Sequence, residues 1–215
     1  MSKLYLQKEN RAIAILIIVY AVGLVGIGAN IHDSFILLTP LNLLLSLGLV
    51  LWNHPTWNRA TYLFLIGCFL AGYGIEVVGI QTGLIFGSYT YGPVLGYQIW
   101  ETPLMIGVNW VMLVYCIGAT LNHSFLKDKA ILLKAIVGAL LLLFLDILIE
   151  PVAIHYDFWT WEAIAVPLQN YLAWYLIALV MLLSFYYFVG RVKNKVAICL
   201  LALQFIFFGI LLFLR

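Results

Sequence analysis

The sequence predicts an all-α integral membrane protein of seven transmembrane helices, on three observations. Of its 215 residues 65% are hydrophobic and only 9% charged, where a soluble domain carries about 25% charged residues. Seven separate apolar runs reach the roughly 20 residues that a bilayer-spanning helix requires. Basic residues fall in alternate connections only.

The runs are 11–30, 35–52, 60–80, 102–121, 130–150, 169–189 and 195–214, forming one transmembrane helical domain over 1–215. The stretch from Met1 to Asn30 has the basic start of a signal peptide, but its apolar run is too long and no small-residue cleavage site follows. It reads as the first spanning helix. Backbone at bilayer depth must satisfy its own hydrogen bonds, which makes a helical bundle the expected architecture.

Lys3, Lys8, Arg11, Arg59, Lys127, Lys129, Lys134, Arg191, Lys193 and Lys195 all fall on one side of this arrangement, and only Arg215 on the other. The positive-inside rule then places the N-terminus in the cytoplasm and the C-terminus outside. This is the expectation for a multi-pass protein of the cell (inner) membrane. The long connections 82–101 and 151–168 share the outer side.

Cys68, Cys116 and Cys199 are far apart in apolar runs and read as small buried hydrophobes. No His or Cys spacing suggests a metal, and no basic patch interleaved with aromatics suggests nucleic acid. A nucleophile elbow, a phosphate loop and an HExxH pair are all missing. Gly79, Gly83 and Gly87, spaced by four, suggest close helix packing, with the later two serving a turn.

The chemistry-bearing residues form a loose repeat. Glu76 is followed thirteen residues later by Tyr89-Thr90-Tyr91, and Asp146 thirteen residues later by Trp159-Thr160-Trp161. A proline opens the next helix in each case, Pro103 or Pro167. Asn109 with Trp110 follows the first, and Asn170 with Trp174 the second. Two parallel helix–loop–helix pseudo-repeats are therefore expected, helices 3–4 and 5–6, related by an axis along the membrane normal. Glu76 and Asp146 are then equivalent. Glu150, four residues beyond Asp146, shares its helix face.

A carboxyl group inside a membrane helix costs roughly 3 kcal/mol at the centre and is a functional hypothesis by default. Burial and like-charged neighbours favour the neutral form of a carboxyl group, and a carboxylic acid kept neutral is a proton donor. The electron-rich faces of Tyr89, Tyr91, Trp110, Trp159, Trp161 and Trp174 can steady a cation. The residues point to acid chemistry on an apolar, membrane-dissolved substrate.

The chain also resembles a known family. Glu76, Gly79, Thr82-Gly83, Phe86-Gly87-x-Tyr89-x-Tyr91, Pro103 and Trp110 match in one half. Asp146, Glu150-Pro151, Trp159-x-Trp161, Pro167, Asn170 and Trp174 match in the other. These residues are similar to those of the carotenoid biosynthesis membrane family that contains the CruF-type carotenoid 1,2-hydratases and bisanhydrobacterioruberin hydratases. The likeness covers helices 3 to 6. Position 150 is Glu where the family pattern often has Asp, so the acid is kept with one more methylene of reach.

The resemblance implies addition of water across the terminal C1=C2 bond of an acyclic (ψ) carotenoid end, through a tertiary cation, to give a tertiary alcohol. Lycopene, γ-carotene or a related chain would be the substrate, held within membrane lipid, with no cofactor and no metal. Glu76 and Asp146 would then supply the acid and the water-positioning base, with Glu150 a third candidate. Asn109 and Asn170 would orient water or a carboxyl group, and the aromatics would line the end-group pocket. A membrane lycopene cyclase shares the protonation step and is the alternative. A proton-coupled transporter is the more distant one.

Overall fold

The computed structural model describes residues 3–214, and Arg215 lies outside them. Among the described residues seven helices are long and apolar enough to cross a membrane: α1 (Lys3–Gly28), α2 (Thr39–Trp52), α3 (Arg59–Thr82), α4 (Leu104–Leu121), α5 (Ile131–His155), α6 (Leu168–Phe188) and α7 (Lys195–Leu214). A 3₁₀ segment, Asp33–Leu38, leads into α2. The chain is thus a multi-pass, all-α membrane protein.

Local chemistry sets the helix ends. The Asn58 side chain accepts from the Thr61 backbone N–H at 2.8 Å and starts α3. Gly83 ends it in the left-handed region, at φ 65°, with its N–H on the Gly79 carbonyl. Pro103 and Pro167 hold extended backbone immediately before α4 and α6. One boundary differs from expectation. α5 does not stop at Glu150 but carries Pro151 inside it and runs on to His155. A proline costs a helix one N–H, and inside a packed membrane bundle that loss is tolerated.

α4 is the central helix. Fourteen of its eighteen residues are buried, and it touches α2, α3, α5, α6 and α7. α3 packs on α4 as α5 packs on α6, and α1, α2 and α7 close the bundle. The basic end is tied by Lys195 on Glu9 at 2.9 Å, Arg191 on Asp128 at 3.2 Å and Lys8 on the Trp52 carbonyl.

At the opposite end the two long connections meet. β1 (Tyr89–Tyr91) pairs antiparallel with β4 (Trp159–Trp161), in the register Tyr89 with Trp161, Thr90 with Thr160 and Tyr91 with Trp159. β2 (Gln98–Ile99) and β3 (Thr102–Pro103) form a second short hairpin. Backbone bonds from Gly92 N–H to the Phe158 carbonyl and from Glu162 N–H to the Ser88 carbonyl extend the first ribbon. By alternation, Thr90 and Thr160 are a hydrogen-bonded pair. The aromatic pairs occupy the positions where facing side chains approach most closely.

Candidate active site

The site grows from this ribbon. Each aromatic–Thr–aromatic triplet turns its threonine outward and its two rings inward, over an acid on the helix before it. The two threonines are exposed, and the rings are buried or half-buried. Glu76 on α3 accepts from the hydroxyls of Tyr89 at 2.5 Å and Tyr91 at 2.8 Å, both on Oε2. Its Oε1 accepts from the Trp110 indole N–H of α4 at 3.2 Å. Glu150 on α5 accepts on Oε2 from the indoles of Trp159 at 3.0 Å and Trp161 at 3.1 Å. Its Oε1 accepts from the Asn170 amide of α6 at 3.1 Å.

The two halves therefore build matching units, each with a glutamate, two ring donors from its own ribbon strand and one donor from the following helix. Trp110 and Trp174 each stand seven residues beyond the proline that precedes their helix. They stack on one another, with ring centroids 4.2 Å apart and planes at 18°. A twofold relation passing between Thr90 and Thr160 produces this pairing.

The equivalence differs from the one read from spacing. Glu150, not Asp146, is the counterpart of Glu76. The position four residues before Glu76 holds Gly72, where an added Cβ would meet the Trp110 side chain at 2.6 Å. Asp146 is an acid that the second half has and the first lacks. The thirteen-residue match was misleading because only three residues, 156–158, separate α5 from its strand, whereas six, 83–88, separate α3 from its strand.

Glu76, Asp146 and Glu150 are 1%, 3% and 2% exposed, so none faces lipid. Glu76 lies near enough to both acids of α5 for their charges to interact. The Asn170 Nδ2 that bonds Glu150 also reaches Asp146 Oδ2 at 3.5 Å. Among the described residues no Lys or Arg pairs with any of the three. Glu76, Glu150, Tyr89, Tyr91, Trp159, Trp161, Asn170 and Trp174 line one small chamber of about 20 Å³, together with Ile106. That is room for about one water molecule. Asp146 stands behind the chamber wall, next to Asn170.

The Tyr89 and Tyr91 phenols are pushed well above their ordinary range, first by burial and then by the charge of Glu76. They stay protonated and serve as donors to Glu76.

Asn109 does not join the carboxyl groups. The equivalent of Asn170, three residues after the proline, is Ile106, and Asn109 turns instead into a larger apolar cavity beside the chamber. Gly79 also departs from its expected part. A Cβ there would meet the Phe86 ring at 2.5 Å, so the glycine admits its own following loop rather than a neighbouring helix. Sequence reasoning missed that larger cavity, of about 250 Å³, which is walled by α1, α2, α4, α5 and α7. Its one legible signal was a set of polar residues in otherwise apolar helices, Tyr20, Asn42 and Gln204.

A seven-helix membrane bundle with an aromatic-walled chamber of buried carboxyl groups at one end defines a multi-pass membrane protein. The chain belongs to the carotenoid biosynthesis protein family, which matches residues 35–214. It is similar to bisanhydrobacterioruberin hydratase of Haloarcula japonica, with 32% identity over 146 residues, covering 65% of this chain and 49% of that one. The chain thus spans about half the length of the curated relative it matches. No solved structure matches it.

Proposed function

We propose that the protein is a carotenoid hydratase that adds water across the terminal C1=C2 bond of an acyclic carotenoid end. The observation that carries this reading is the chamber itself, where carboxyl groups from both halves of the chain meet among aromatic faces in a space the size of a water molecule. Family membership and the name of the relative support a carotenoid as substrate.

The residues divide the work by their hydrogen bonds. Glu76 and Glu150 each receive three donors, an arrangement that suits a carboxylate, but only Glu150 has a second acid, Asp146, beside it on its own helix. Glu150 and Asp146, joined through Asn170, form a close acid pair that releases and regains protons as a unit. A proton passes from this pair to C2 of the alkene, and the electron pair of the double bond forms the new C–H bond. The tertiary cation left at C1 faces the rings of Tyr89, Tyr91, Trp159 and Trp161, whose negative faces stabilise it. Water adds its oxygen to C1 and gives its extra proton to Glu76. Return of that proton to the α5 pair restores the site. The sum is one water added to one alkene, with no change in redox state and no cofactor consumed.

Incubating the purified protein with lycopene and weighing the product tests the proposal. Hydration adds the mass of one water, and cyclisation adds nothing. An unchanged mass with an altered absorption spectrum would assign the chamber to a cyclase. Lycopene recovered intact would remove it from both.

A further inference from the structure

The larger cavity carries a second inference. It adjoins the acid chamber, since Ile106 and Trp159 line both. Its rim includes Ile18, Val22 and Leu38, all exposed on the outside of the bundle. At about 250 Å³ it falls below the roughly 300–1,000 Å³ of pockets that enclose a whole drug-sized ligand. It suits one segment of a longer chain.

Its walls are apolar except at Thr39, whose hydroxyl donates to the Ile36 carbonyl, and at four further side chains. Tyr20 of α1, Asn42 of α2, Asn109 of α4 and Gln204 of α7 all face it. Gln204 donates to the Tyr20 hydroxyl at 3.0 Å, Asn42 accepts from Ser46 at 3.2 Å, and both Asn42 and Ser46 lie beside that hydroxyl. These bonds alone would make the group a tie between helices. Asn109 breaks that account, because among the described residues its amide has no hydrogen-bond partner. An amide left open in an apolar cavity is costly, and a pure hydrocarbon filling the cavity would leave it so.

We propose that the polar side chains of this cavity, Asn109 first among them, bind a hydroxyl carried by the end segment of an isoprenoid chain lodged in the cavity. Asn109 and Asn42 are specificity-determining residues for that hydroxyl. The ligand class rests on the carotenoid reading above. The hydroxyl belongs either to an already oxygenated substrate or to the alcohol leaving the acid chamber.

The test titrates purified protein in detergent with lycopene and with an acyclic carotenoid of equal length bearing one hydroxyl in its end segment. Quenching of tryptophan fluorescence is read before turnover. One additional hydrogen bond in a dry site corresponds to about tenfold tighter binding of the hydroxylated chain. In Asn109→Leu that preference falls to about one. Asn42→Leu, on a different helix, gives the same fall and replaces the first variant should it fail to fold. Equal affinity for both chains in the unmodified protein, or a preference that survives in both variants, overturns the proposal. Consumption of the hydroxylated chain marks it as substrate, whereas unconsumed chain that slows lycopene conversion marks it as product; both support the site. The preference is read by binding alone, so it stands even where no water addition is found, and that failure would count only against the hydratase reading.

Discussion

Glu76 and Glu150 each have both carboxyl oxygens on donors, whereas Asp146 has a single long contact. That difference sets the expected order of damage. Under the hydratase reading Glu76→Gln and Glu150→Gln each remove a group that would meet the reacting end and should lower product formation by about 10²–10⁴-fold. Asp146→Asn acts through Asn170 and Glu150 and should cost less than Glu150→Gln. Product quantified per amount of folded protein in lycopene-making cells checks all three, and full activity in Glu76→Gln would remove it from the chemistry. The tyrosines give a separate, pH-dependent outcome. Burial and the Glu76 charge raise Tyr89 and Tyr91 above the ordinary phenol value, which is near 10. The unfolded chain therefore loses these protons first as pH rises. The stability they contribute is complete below about pH 10 and is lost as pH climbs toward the folded value. Thermal unfolding in detergent should show a shallower alkaline decline for Tyr89→Phe combined with Tyr91→Phe.

The ribbon is the element on which the site depends, and Gly92 is its tightest point. A Cβ at Gly92 would lie 2.0 Å from the Asp157 carbonyl oxygen, a backbone atom with nowhere to go. Asp157 is itself in the left-handed region, at φ 57°, where the chain turns from α5 into β4. Gly92→Ala should separate β1 from β4, lower stability by about 1–3 kcal/mol and reduce turnover further by misplacing Tyr91 and Trp159. Unfolding midpoints and product yield, measured together, check this. Much at this scale was legible in the sequence. Hydropathy and the alternation of basic residues gave seven spans, because lipid demands long apolar helices. The aromatic–Thr–aromatic triplets marked both strands of the ribbon. Their pairing with each other was not readable, since it depends on two loops some seventy residues apart meeting in register. Nor was the role of Glu150, because the connection from α5 to its strand is three residues shorter than that from α3, which changes the count from acid to triplet. The direction in which Asn109 points follows from the helix rotation, which packing decides.

In the whole molecule, two halves lean on each other around α4, and each supplies part of one chamber. Thr90 and Thr160 face each other at the centre of the ribbon, away from the chamber. A hydrogen-bonded antiparallel pair has Cα atoms about 5.5 Å apart, within the range that a disulfide spans. Thr90→Cys with Thr160→Cys should therefore cross-link on mild oxidation. Turnover should persist in the locked protein if a chain reaches the acids from the large cavity, which shares Ile106 and Trp159 with the chamber, and not through the ribbon. Loss of activity that reductant restores would show that the ribbon must open.

Gly72 stands where the second half has Asp146, so the two sides of the chamber are unlike despite their shared plan. Under the hydratase reading this gives the reaction centre a handedness: protons come from one wall and water is deprotonated at the other. On that reading only one terminus of a linear polyene would enter at a time, and in one sense only. A molecule with two like termini would then have to be released, turned end for end and captured again, passing through a lopsided, half-finished product on the way.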